Sequence, residues 1–255
     1  MSLVISISGI RGTIGGRPSE GLTPIDTVQF ASAYASWLIA ESGKERPSVA
    51  LGRDARISGP MVEQLVSATL SAMGVDVYLM GFATTPTVEI AVTEMGADGG
   101  IILTASHNPA QWNALKLLNG SGEFLSGEDG EAILQMARSN DYSYADVKKL
   151  GTIKPLEGMD VKHIDQVLQL DLVKPDKIKK KNFRVAIDCV NSVGGIILPQ
   201  LLKALGVDDV IELYCDPTGD FPHNPEPLPE HLTEISVRFS GRGSGLCGKS
   251  PVGSQ

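Results

Sequence analysis

Ser106 and His107 stand side by side in TASHNP (Thr104–Pro109), after the apolar run from Gly99 to Leu103. Lys116 follows ten residues after Ser106, in NALK (Asn113–Lys116). A serine beside a base invites nucleophilic catalysis. Adjacent residues rarely set an imidazole in line with the neighbouring hydroxyl, however, and the G-x-S-x-G elbow of a serine hydrolase is absent. As a bare tetrapeptide, Ser-His-Asn-Pro reads as a turn held by side-chain-to-backbone hydrogen bonds, with Pro109 ending the strand. Two further features shift the weight towards phosphate. SGIRGTIGG (residues 8–16) joins glycines, which permit close backbone approach, to Arg11. Lys116 is a second cation. Arg53, in GRDAR, is a third candidate, although Asp54 beside it offers an ordinary ion pair. A serine ringed by Arg11, Arg53 and Lys116 suits a phosphoryl group, which brings about −1.5 to −2 charge, better than an acyl group. The other histidines are weaker candidates. His163 and His231 read as exposed, and His223 lies in GDFPHNPEPLPE, whose prolines make a rigid, positioning connection.

The elements that must hold these residues alternate. Strands are expected over 3–8, 47–52, 75–81 and 99–106, with Arg11 in the loop after the first. Helices are expected over 25–42, 60–74 and 85–96. Ligands gather at the carboxyl ends of such strands, so Arg11, Arg53 and Ser106 are expected on one rim, with Lys116 just past the serine loop. A helix near 127–139 precedes a polar stretch over 140–155. Then come a helix over 159–173, a basic linker KPDKIKKK over 174–181, a strand over 183–190, a helix over 194–206 and a strand over 209–215. The expected fold is α/β: two consecutive three-layer α/β/α domains with mostly parallel mixed sheets, one over 1–153 and the other over 154–255.

Composition narrows the function. The chain has 255 residues, a net charge of −8 and 5% aromatic residues. That balance argues against an extended nucleic-acid interface. No apolar run approaches the roughly 20 residues that cross a bilayer, and the first residues do not read as a signal peptide. No membrane partner is expected. Cys189, Cys215 and Cys247 are an odd set without metal-ligand spacing, read as reduced thiols in a cytoplasmic protein, with no structural zinc. The sequence leaves oligomeric state open, a homo-oligomer included.

Taken together, SGIRGTIGG, TASHNP, NALK and DPTGDFPHNPEPLPEHL (residues 216–232) resemble the α-D-phosphohexomutases: phosphoglucomutase, phosphomannomutase and phosphoglucosamine mutase. The resemblance runs from Met1 to about Ser236. It implies a phosphoserine enzyme that lends phosphate to a hexose phosphate and takes the other phosphate back from the bisphosphate formed. Ser106 would carry the phosphate and ligate Mg²⁺ through it. His107 and Lys116 would stand beside that phosphate, Lys116 as general base, and Arg11 would steady the phosphoryl group. Gly12, Thr104, Asn108 and Arg53 are the expected phosphate- and substrate-binding residues. Ala114 stands where the family usually has glycine.

The resemblance also implies four domains, with an Asp-x-Asp-x-Asp-Arg metal loop expected beyond HLTEIS. Neither that loop nor counterparts of the third and fourth domains occur in the chain. From about Val237 the sequence is VRFSGRGSGLCGKSPVGSQ, rich in Gly and Ser and without apolar period. It is expected to be translated out of frame: one codon choice for GSGLCGKS, shifted by a base, reads Asp-Leu-Gly-Phe-Val-Val-Asn. The chain is therefore expected to be inactive or nearly so alone. The alternative is a non-catalytic remnant that binds sugar phosphate or protein.

Overall fold

The computed structural model describes residues 2–6 and 9–241. Sixteen of its helices and strands fall in chain order up to the polar linker and beyond as β1 (Leu3–Ser6), β2 (Gly9–Thr13), α1 (Pro24–Ser42), β3 (Ser48–Arg53), α2 (Gly59–Ala72), β4 (Asp76–Phe82), α3 (Thr85–Met95), β5 (Gly99–Leu103), β6 (Trp112–Leu118), α4 (Gly127–Ser139), β7 (Ile153–Pro155), α5 (Met159–Gln169), α6 (Pro175–Lys179), β8 (Arg184–Asp188), α7 (Gly194–Ala204) and β9 (Asp209–Leu213), and α8 (Thr233–Gly241) follows. The helices start where side chains can satisfy their free N–H groups. Thr23 and Asp26 form a reciprocal cap at α1, Ser126 and Asp129 do so at α4, and Thr84 caps α3. Gly43 and Gly96 end α1 and α3 in the left-handed conformation.

The first sheet has the order β1-β2-β6-β5-β3-β4-β7. β5, β3, β4 and β7 pair in parallel, and β5–β6, β6–β2 and β2–β1 pair antiparallel. β2 therefore runs with the parallel strands, and only β1 and β6 run against them. One face packs on α1, α2 and α4 through Phe30, Tyr34, Val66, Leu70 and Ile133; the other packs on α3 and α5 through Val88, Val92 and Met159. Tyr34 is wholly buried, and its hydroxyl donates to Leu118 O at 2.7 Å and Gly100 O at 3.3 Å. Gly99 must lack a side chain there, because a Cβ would run into that hydroxyl.

Several expectations change. The glycine-rich segment is strand β2, so Arg11 lies within a strand and not in a loop. β6 was not expected, and Lys116 lies inside it. β5 ends at Leu103, short of the expected Ser106. Part of the basic linker is the short helix α6, and α5 stops at Gln169. The expected division at 153/154 falls inside β7, which pairs with β4 of the first sheet. The second unit holds β8 and β9 in parallel, with α8 against both. The helix α8 runs through Val237, where the apolar period was expected to end; the rest of the Gly/Ser-rich tail, 242–255, lies outside the described residues. Among the described residues, no helix is long and apolar enough to cross a membrane.

Replacing Tyr34 by Phe leaves the ring in place and removes the two buried hydrogen bonds. It is expected to lower stability by about 1–3 kcal/mol, read as a fall in the urea midpoint at unchanged m-value.

Candidate active site

Past β5 the chain turns through Thr104–Gln111 and returns as β6, so Ile102 faces Lys116 and Leu103 faces Leu115. β6 is flanked on its other side by β2, with Arg11 opposite Ala114. Side chains alternate faces along a strand, which places Arg11, Ala114 and Lys116 on one face of the sheet. That is the α3 face, because Ile102, opposite Lys116, packs there. The small residues Gly9 and Ala114 leave a cavity of about 260 Å³ over the strands. It is lined by Arg11, Thr104, Ser106, His107, Asn108 and Lys116, and closed on one side by Phe124. The lysine ten residues after the serine is thus the antiparallel return of the chain. Asn113, in the same NALK run, is wholly buried and donates to Ser58 Oγ at 2.9 Å, fixing β6 against the start of α2.

Ser106 is exposed and has φ 54°, a left-handed conformation uncommon outside glycine. Such a residue costs on the order of 1–3 kcal/mol and persists where its surroundings over-determine it. Here both neighbouring peptide groups are held. Ser106 N donates to Thr104 Oγ1 at 3.0 Å, and Ser106 O accepts from Arg56 Nη2 at 2.8 Å. Asn108 adds a brace, its side chain and backbone N both donating to Ala105 O, at 2.7 and 3.0 Å.

Arg56 was not among the residues expected at the site. It is 1% exposed, and all five of its N–H donors find acceptors. Nε donates to Asp54 Oδ2 at 3.0 Å, Nη1 to the carbonyls of Pro109 and Trp112 at 2.7 and 2.9 Å, and Nη2 to those of Ser106 and Asn108, both at 2.8 Å. One buried guanidinium therefore gathers the whole serine turn. Burial pushes its pKa down against the opposite pull of Asp54, and it remains charged. Asp54 also accepts from Thr104 Oγ1 at 2.6 Å, so the Thr104 hydroxyl braces the loop.

Two expected residues stand elsewhere. Arg53 turns away from the cavity and pairs with Glu63 (3.2 Å), not with Asp54, whose side chain belongs to Arg56. Its guanidinium also donates to Asp54 O at 3.2 Å and lies 4.4 Å from the Phe82 ring centroid. Gly12 is packed against Leu22, where a Cβ would sit 2.8 Å from the backbone N. Among the other histidines, His163 is half-buried against Thr87 Oγ1 at 3.0 Å, and burial lowers its pKa. His223 Nε2 lies 2.9 Å from Asp188 Oδ2. The local sequence could have pointed to Arg56 only through its place in GRDAR, where either arginine can claim the aspartate.

The electrostatics of the cavity centre on Lys116, half-buried with its ammonium 5.9 Å from the Phe124 ring centroid. Burial lowers its pKa, and the charge of Arg11 lowers it further, while Asp54 and Glu89 pull the other way. Glu89, on α3, is itself raised by burial and lowered by Lys116. A lysine with a lowered pKa offers the neutral amine, which can accept a proton, at lower pH than usual.

Comparison with known proteins identifies the family. The model for phosphoglucomutase/phosphomannomutase α/β/α domain I matches residues 4–143, and that for domain II matches residues 161–243. The chain belongs to the phosphoglucomutase/phosphomannomutase family. A phosphoglucomutase/phosphomannomutase from Thermococcus kodakarensis is 35% identical over 224 residues, covering 87% of this chain and 48% of that protein. A phosphomannomutase/phosphoglucomutase from Pseudomonas putida is 35% identical over 245 residues, covering 93% and 47%. A solved phosphoglucomutase/phosphomannomutase family protein from Burkholderia thailandensis superposes with TM-score 0.75 at 25% identity, over 93% of this chain and 51% of that one. The chain spans about half the length of the relatives it matches.

Two measurements check the site. Removing Arg11's charge (Arg11→Met) is expected to raise the Lys116 pKa, and Glu89→Gln to lower it, read by NMR titration of the Lys116 side chain. Arg56→Met leaves Asp54 and four carbonyls without their donor; it is expected to cost about 3–5 kcal/mol in denaturant unfolding.

Proposed function

We propose that Ser106 carries a phosphoryl group that the chain exchanges with a hexose phosphate. The observation that carries this reading is the placement of an exposed serine, in a braced left-handed turn, at a cavity shared with Arg11 and Lys116. In the forward step a hydroxyl of the hexose phosphate attacks phosphorus. The bond from phosphorus to Ser106 Oγ breaks, the hydroxyl proton passes to neutral Lys116, and Lys116 hands it on to the leaving Ser106 oxygen. In the return step Lys116 takes the Ser106 hydroxyl proton as Ser106 Oγ attacks the other phosphate of the bisphosphate, and gives that proton to the leaving sugar hydroxyl. Arg11 and His107 balance charge on the moving group. Such transfer depends on positioning and charge neutralisation, which a preformed cationic cavity supplies.

Mg²⁺, which family resemblance implies, would meet this chain at the Ser106 phosphate. Among the described residues, no group of three His, Cys, Asp or Glu side chains can hold a metal ion. Asp54, beside the loop, is committed to Arg56 and Thr104. These residues do not by themselves make up a magnesium site. The reading is therefore that this chain takes up phosphate on Ser106 without sustaining mutase turnover by itself.

The test is intact-mass spectrometry of the chain after exposure to a hexose 1,6-bisphosphate. The chain is expected to gain one phosphoryl group, Ser106→Ala to gain none, and Lys116→Met to gain it on the order of 10²-fold more slowly. A serine that stays bare, in protein taken from cells and after exposure, overturns the carrier role and favours a binding remnant. Conversion of glucose 1-phosphate to glucose 6-phosphate at an ordinary mutase rate overturns the inability to turn over.

A further inference from the structure

The second unit touches the turn that carries Arg56 in a way that the phosphoryl chemistry leaves unexplained. Residues 218–223 reach across to the Asp54–Ile57 turn. The Phe221 ring lies over the Arg56 guanidinium, 5.1 Å from its carbon to the ring centroid. Gly219 packs so tightly that a Cβ would collide with the Ala55 carbonyl oxygen and come within 3.2 Å of Ile57 N. Ala55 N donates to Ser192 Oγ at 3.3 Å. Phe221 and Ser106 line one cleft of about 220 Å³ between the units, together with Asp54, Thr104, Val190 and Ser192.

The reaching segment is itself tied down. Gly219 N donates to Asn191 O, Asn191 Nδ2 donates to Asp220 O, and His223 Nε2 meets Asp188 Oδ2, all at 2.9 Å. Asn191 and Val190 both have positive φ, 52° and 44°; for a β-branched valine this is a genuine outlier that its surroundings must enforce. The turn after β8 is thus bent into an unusual shape just where it supports this segment.

Arg56 spends every in-plane donor on Asp54, the serine turn and Trp112 O, which leaves only its faces without a hydrogen-bond partner. An aromatic ring over one face is attracted to the cation and excludes water there, and a drier setting strengthens the hydrogen bonds beneath it. We propose that Phe221 is a positioning residue for Ser106 that acts through Arg56, so that docking of the second unit aligns the phosphoryl carrier on the first. The proposal rests on the reading of Ser106 as that carrier.

The test compares the full chain with Phe221→Ala and Phe221→Tyr by two readouts. The first is amide hydrogen exchange at Ser106 and Asn108, which needs no phosphate. The second is the rate of phosphoryl uptake from a hexose 1,6-bisphosphate. Phe221→Ala is expected to lose protection at both amides while the α1 amides keep theirs. Its maximal uptake rate is expected to fall about 10- to 100-fold, by misplacement of the reacting group, with a smaller change in the half-saturating donor concentration. Phe221→Tyr keeps the ring over the cation and is expected to stay within about threefold of the wild type. Should Phe221→Ala fail to fold, Phe221→Leu, which keeps bulk without a ring, is expected to lose the same protection. Wild-type protection at Ser106 and Asn108 in a folded Ala or Leu variant overturns the proposal, as does a Tyr variant as impaired as Ala. If the wild type takes up no phosphate, the carrier reading fails, and loop exchange alone still decides whether Phe221 orders the turn.

Discussion

A buried guanidinium has to satisfy five donors or cost the fold several kcal/mol. In this chain Arg56 meets that demand with one carboxylate and four main-chain carbonyls, three from the turn that presents Ser106 and the fourth from Trp112 at the start of β6. The constraint works in both directions. The turn cannot relax without stranding the cation, and the cation cannot move without releasing Asp54, which also holds Thr104 and, through it, the amide of Ser106. The left-handed conformation of Ser106 follows from this closed circuit, and Ser106 lines the open cavity.

The sheet supplies the other half of the arrangement. An antiparallel wing on an otherwise parallel sheet brings β6 between β5 and β2, so that a lysine and an arginine far apart in sequence share one face. Gly9 and Ala114 keep that face low enough to leave a cavity. A chain with an overall charge of −8 thereby concentrates cations at one spot. Burial and the charge of Arg11 lower the Lys116 pKa there, against the pull of Asp54 and Glu89. A phosphoryl dianion arriving there meets charge already in position, with little reorganisation needed.

The two units meet at the same circuit. Gly219, Phe221 and Ser192 of the second unit bear on Ala55 and Arg56, next to the residue that determines the shape of the serine loop. The proline-rich segment and the Asp188–His223 pair give that contact a stiff support.

Much of this was legible in the sequence because it is local. The helical spacing of α1 to α3 depends on residues within a few positions of one another. So does the turn at Ser-His-Asn-Pro, and the motifs around Ser106 pointed to phosphate. What the tertiary structure decided was pairing. Glycines made β2 read as a loop, although it is a strand because β6 lies beside it, and β6 escaped notice because its neighbours come from distant parts of the chain. Local sequence offered Asp54 to either Arg53 or Arg56. Burial settled the matter, for the arginine with no access to water had to take the carboxylate and the carbonyls, while Arg53 found Glu63 and Phe82 instead. Periodicity and capping are encoded residue by residue; which strands become neighbours, and therefore which charges share a cavity, emerges only when the whole sheet assembles around its core.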